Sequence, residues 1–131
     1  MKNLNRFFMM VCVSILFTPL CQAQTTDNLS KTISNAFNTD NMEMLSGLFS
    51  DDVELILPDG KSSTTKNAIK TMLSNFINTK QVSGFQVLHQ GQKGNRMFII
   101  GNFVSQSTSY RINLFLKNDS GNFLIYQLKI E

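Results

Sequence analysis

An α+β fold, with helices laid over one face of a bent antiparallel sheet, is what this sequence predicts, and three observations predict it. Apolar residues recur at helical spacing in three separate segments of the first half of the chain. From Gly84 onward the period changes to the two-residue alternation of strands. Short clusters of Gly, Asn, Asp and Ser then punctuate that half, as hairpin loops do.

The first helix is expected over Asp27 to Asn38, where Leu29, Ile33, Ala36 and Phe37 share a face and Asp27 stands at the N-cap. The break Asn38-Thr39-Asp40-Asn41 makes a tight connection to a second helix. There Asp40 and Glu43 form an aspartate version of the capping box, and Met44, Leu45, Leu48 and Phe49 line one side. Ser50-Asp51-Asp52 launches a strand over Val53 to Leu57. Pro58-Asp59-Gly60 turns it, because proline presets φ and glycine accepts a positive one. A short returning strand at Lys61 to Ser63 closes the hairpin, and Ser63 or Thr64 caps a third helix. Ala68, Ile69, Met72, Leu73, Phe76 and Ile77 form its buried stripe.

Four strands follow: Phe85–Gln90, Arg96–Gln106, Tyr110–Lys117 and Phe123–Glu131. Short loops between consecutive strands imply an antiparallel meander, and three helices must cover one of its faces. The order is α-α-β-β-α-β-β-β-β, in one domain over residues 24–131.

Residues 1–23 read as a cleaved export signal, with cleavage expected after Ala23. Lys2 and Arg6 form a basic start, Phe7 to Phe17 an apolar run, and Cys21-Gln22-Ala23 a small-residue site. The apolar stretch Phe7 to Leu20 contains Pro19 and is shorter than the roughly 17–25 residues a spanning helix needs, so no stable membrane anchor is expected after cleavage. The expected location is periplasmic or secreted. Cleavage removes Cys12 and Cys21, the two cysteines of the chain, and with them any disulfide or thiolate chemistry. It also removes Lys2 and Arg6, which takes the formal net charge from +3 to +1. The remaining basic residues are scattered, and no nucleic-acid face is expected.

The phrase Leu48-Phe49-Ser50-Asp51-Asp52-Val53-Glu54-Leu55, the turn Pro58-Asp59-Gly60 before the third helix, and the closing strand Ile125–Glu131 resemble the nuclear transport factor 2-like superfamily. That is the cystatin-like, cone-shaped fold shared with ketosteroid isomerases and SnoaL-like proteins. His89-Gln90-Gly91, Ile100-Gly101 and Tyr110-Arg111-Ile112 look like an exported bacterial family of unknown function within it. The resemblance implies a cavity between sheet and helices, and pairing of two copies through the convex sheet face.

Strand parity puts Leu124, Tyr126, Leu128 and Ile130 on one face, Tyr110, Ile112, Leu114 and Leu116 on one face, and Phe85, Val87 and His89 on one face. If Phe98, Ile100 and Val104 face the helices, Asn102 does too. The candidate ligand-binding residues are therefore His89, Asn102, Tyr110 and Tyr126, around a small apolar ligand. Met97, Ile99, Phe103, Phe115, Phe123 and Ile125 are then expected on the opposite face, as an apolar patch for a homodimer.

The function this supports is a non-enzymatic exported domain that binds a small apolar ligand or a protein partner and dimerises through its sheet. The alternative is a small acid/base enzyme of isomerase or dehydratase type, using His89 with Tyr110 or Tyr126. Steroid-isomerase chemistry needs a carboxylate base in the cavity, and the meander has none at an inward position. A third reading has the cone filled by the chain's own phenylalanines. One histidine with no cysteine makes no zinc set, and neither a G-x-S-x-G elbow nor a phosphate loop occurs. No cofactor, metal or catalytic residue is expected.

Overall fold

The computed structural model describes residues 26–106 and 108–131; the expected export signal lies outside the described residues. The elements are α1 (Thr26–Asn38), α2 (Met42–Ser46), β1 (Phe49–Ile56), β2 (Ser62–Ser63), α3 (Lys66–Thr79), β3 (Val82–Lys93), β4 (Arg96–Ser105), β5 (Ser109–Asp119) and β6 (Asn122–Ile130). Their order is the one the sequence predicts. The strands form one curved, unclosed sheet, β2-β1-β6-β5-β4-β3. Four of the five strand pairs are antiparallel, but β1 lies parallel to β6, with Leu55 beside Leu128.

Local differences from expectation have tertiary causes. α2 is a single turn, capped by Asn41, whose Oδ1 accepts the Met44 N–H at 3.0 Å. Asp40, expected as that cap, takes a positive φ of 51° in the connection. Leu48 and Phe49 leave the helix because Leu48 C=O accepts the Ile125 N–H at 2.7 Å, which draws the chain into the sheet and starts β1 at Phe49 rather than Val53. Thr65, not Ser63 or Thr64, is the N-cap of α3; Ser63 Oγ instead accepts the Thr65 N–H at 3.3 Å.

The hairpins are tighter than the loops read from composition. β3 runs through Gly91 and Gln92 to Lys93, which pairs with Arg96, so two residues turn the chain and Gly94 supplies the positive φ of 57°. The β5–β6 turn has Ser120 at φ 53° and Gly121 at φ 94°, the two positive values of a primed turn.

α1 packs on β3, while α3 packs on β1 and β3. Between helices and sheet four phenylalanine rings meet. Phe37 lies 4.9 Å from Phe85 and 5.0 Å from Phe103, and Phe103 lies 5.5 Å from Phe85 and 6.1 Å from Phe76, centroid to centroid. Ile33, Ile69, Leu73, Ile99, Ile112 and Leu114 close around them, all fully buried. The helix-covered interior is thus filled by the chain itself. At the sheet edge, Asn38 bonds the β3 backbone on both sides of one residue: its Oδ1 accepts the Phe85 N–H at 2.9 Å, and its Nδ2 donates to Phe85 C=O at 3.3 Å. That side chain stands in for a missing neighbouring strand.

Candidate functional site

Two single-residue β-bulges, one in β3 and one in β6, decide which of the candidate side chains face where. In β3 the register jumps between Val87 and His89, leaving Leu88 unpaired and 56 % exposed. Opposite β5, the register of β6 jumps over Tyr126, since Phe115 pairs with Gln127 and Leu116 with Ile125. Further irregularities lie between Val82 and Gly84 in β3 and between Phe49 and Glu54 in β1. Each extra residue turns its neighbours to the other face and bends the strand.

The parity expectations are corrected accordingly. Tyr110 faces the helices, edge-on to Phe76 at 5.1 Å. His89 pairs with Ile100 and faces away from the helices, exposed. Tyr126 is turned outward by the bulge it sits in, together with Leu124, while Leu128 and Ile130 keep the inward positions expected of them. Asn102 also faces outward, because β4 is opposite in phase to expectation. Met97, Ile99 and Phe103 are the buried set, and Phe98, Ile100, Asn102 and Val104 form the outer, half-buried one. Met97, Ile99, Phe103, Phe123 and Ile125 therefore belong to the core, and of the expected outer patch Phe115 alone lies outside.

The outer face nevertheless carries its own aromatic band across four strands. His89 on β3 lies 5.3 Å from Phe98 on β4. Phe98 is directly opposite Phe115 on β5, and Phe115 lies 6.4 Å from Tyr126 on β6. Gly91 makes this arrangement fit, since the Phe98 ring occupies the place of its missing Cβ, 2.6 Å from where that atom would stand. Arg96 caps the far end over the Tyr126 ring at 5.0 Å, with Lys117 at 5.8 Å. The outer residues missed by sequence parity are thus Phe98, Arg96 and Gly91. A strand apolar on both faces, with a glycine beside a hairpin, was the available signal.

The band does not assemble an acid/base pair. His89 and Tyr126 stand on strands three inter-strand spacings apart, roughly 14 Å. Tyr110 is on the other face of the sheet.

Beside the band, Asp52 is held by Lys117 Nζ at 2.6 Å and by the Ser50 hydroxyl. These two hydrogen bonds, the lysine first, lower its carboxyl from 3.8 to about 2. The folded state therefore favours the carboxylate. Its stabilisation is fully present above about pH 4, and it is lost as pH falls through about 2. Lys117→Met should raise the Asp52 midpoint toward the ordinary aspartate value in a carboxyl-carbon NMR titration. An unmoved midpoint would remove the lysine as its cause.

This geometry, helices over one face of a curved, unclosed six-stranded sheet, defines a nuclear transport factor 2-like fold. The chain belongs to the family described as a domain of unknown function (DUF4783), which matches residues 30–131. A family member from Bacteroides ovatus is 31% identical, with a TM-score of 0.67 over 76% of this chain and 90% of that one. Another from Bacteroides uniformis is 27% identical, with a TM-score of 0.70 over 79% of this chain and 96% of that one. An NTF2-like protein of unknown function from Cytophaga hutchinsonii shares the fold at 15% identity, with a TM-score of 0.60 over 84% and 92% of the two chains. No curated protein matches this chain.

Proposed function

We propose that this protein is an exported, non-catalytic interaction domain that pairs with a second copy through the outer face of its sheet. One observation carries the reading. The interior is occupied by Phe37, Phe76, Phe85 and Phe103, while a second aromatic band, His89–Phe98–Phe115–Tyr126, is left on the uncovered face. Apolar rings left on a surface favour association, because burying them against a partner removes apolar area from water. A two-fold pairing needs one patch that is complementary to itself, and a continuous band of rings flanked by Ile100 and Leu124 offers one. Export is supported by the basic, apolar and small-residue pattern of residues 1–23.

Sedimentation equilibrium of the purified protein tests the pairing. A dimer is expected at about 50 μM, within the micromolar-to-picomolar range that interfaces of ordinary size span. Phe98→Glu combined with Phe115→Glu should give a monomer with unchanged circular dichroism. A monomeric wild type, or a double variant that still pairs, would sink the proposal.

A further inference from the structure

A pocket of about 120 Å³ opens at the edge of the helix-covered side, between the end of α3, the β1–β2 turn and the start of β5. Its walls are Leu57, Pro58, Phe76 and Tyr110, with Asp59 and Lys80 at the rim. A shallower cleft of about 310 Å³ adjoins it, sharing Leu57, Asp59, Phe76 and Lys80 and extending to Lys61 and Met72. The turn that forms one wall is closed by its own backbone, Leu57 N–H donating to Lys61 C=O at 2.8 Å and Gly60 N–H to Leu57 C=O at 3.0 Å.

The walls and the rim ask for different chemistry. Phe76 and Tyr110 meet at 5.1 Å and 79°, an edge-to-face corner that offers a ring face on one side and ring edges on the other. Its volume is close to the roughly 150 Å³ apolar cavity that takes up benzene, so it suits a single ring. At the rim the Lys80 ammonium lies 5.9 Å from the Tyr110 centroid, and among the described residues no carboxylate stands within ion-pairing distance of it. Lys61 is already engaged by Asp59 at 3.7 Å. One unmatched cation beside an aspartate favours a monoanion over a phosphate dianion, and it disfavours a cation.

We infer that this cleft is a binding site for a small aromatic carboxylate, its ring seated between Leu57, Pro58, Phe76 and Tyr110 and its carboxylate at Lys80. The site lies on the opposite side of the sheet from the aromatic band, so it stands or falls independently of the pairing.

Phenylacetate, with 2-phenylethanol as its uncharged counterpart, tests the assignment in an amide NMR titration of the purified protein. A ligand of this size should saturate with a dissociation constant on the order of 1 mM, and the shifts should centre on Leu57, Tyr110 and Lys80. Lys80→Met, at an exposed position, should weaken phenylacetate about fivefold or more and leave 2-phenylethanol unchanged. Lys80→Arg should retain phenylacetate. Absence of saturable shifts, shifts centred elsewhere, or equal loss of both probes in Lys80→Met would overturn the site.

Discussion

Truncating Phe103 to alanine should destabilise the protein by about 3–5 kcal/mol, most of the stability of a typical small domain. Phe103 is fully buried, and its ring is bounded by Phe37 edge-on at 5.0 Å, Phe85 at 5.5 Å and Phe76 at 6.1 Å. Two of those neighbours are on helices, and the third belongs to a strand edge held by Asn38. None can collapse into the gap without giving up its own contacts, so the cavity term adds to the lost transfer energy. Urea unfolding measures the loss directly, with Met44→Ala as a surface comparison, since Met44 is 39 % exposed and should cost under about 1 kcal/mol. A similarly small cost at Phe103 would mean that the space between helices and sheet is loosely packed. The reading of a self-filled interior would then fail.

That interior was only partly visible in the sequence. The helical stripes Leu29–Ile33–Phe37 and Ile69–Leu73–Phe76 identify the buried faces of α1 and α3, with Ser30 the one polar residue buried beside the first. β5 is equally clear: Ile112, Leu114 and Leu116 alternate with Arg111, Asn113 and Lys117. β4 is different, since Met97–Phe98–Ile99–Ile100 is apolar at every position and local pattern assigns no phase. Its phase is set by packing. Gly101 lies under the Phe85 ring, which requires the inner face there to lack a side chain, and Met97, Ile99 and Phe103 follow it inward.

The candidate site was hidden by a second cause. A bulge residue has no composition of its own, and Leu88 and Tyr126 look like ordinary members of alternating strands. Skipping one residue in each sends His89 and Tyr126 to the outer face, where with Phe98 and Phe115 they compose the band. The parallel neighbour β6 of β1 was invisible for a related reason: the partners are remote in the chain, and nothing local in Leu55 points to Leu128. Tyr110 escaped both effects because the β4–β5 register runs unbroken from Arg96–Lys117 to Val104–Ser109.

The two faces of the sheet can be told apart by adding one methyl group to each, at Gly101 on β4 and at Gly91 on β3. In Gly101→Ala the new carbon would stand 2.3 Å from the Phe85 ring and 3.1 Å from Gln86 C=O, on the inner face. Phe85 cannot turn aside, because Phe37 at 4.9 Å and Phe103 at 5.5 Å hold it, so the strand itself must move. The expected cost is about 3 kcal/mol, the upper part of the range for overpacking. In Gly91→Ala the new carbon would stand 2.6 Å from the Phe98 ring, an equally severe overlap on paper. Phe98 is half-buried with solvent on its outer side, so its ring can swing away at a cost under about 1 kcal/mol. That swing has its own consequence, since it lifts Phe98 out of line with Phe115 and should weaken pairing of two copies. Urea unfolding and sedimentation of the two variants therefore give opposite patterns: a large stability loss for Gly101→Ala, and a loss of association with little destabilisation for Gly91→Ala. Equal stability costs would show that the outer ring is as tightly held as the inner one, and the face would then be closed by contacts other than a second copy.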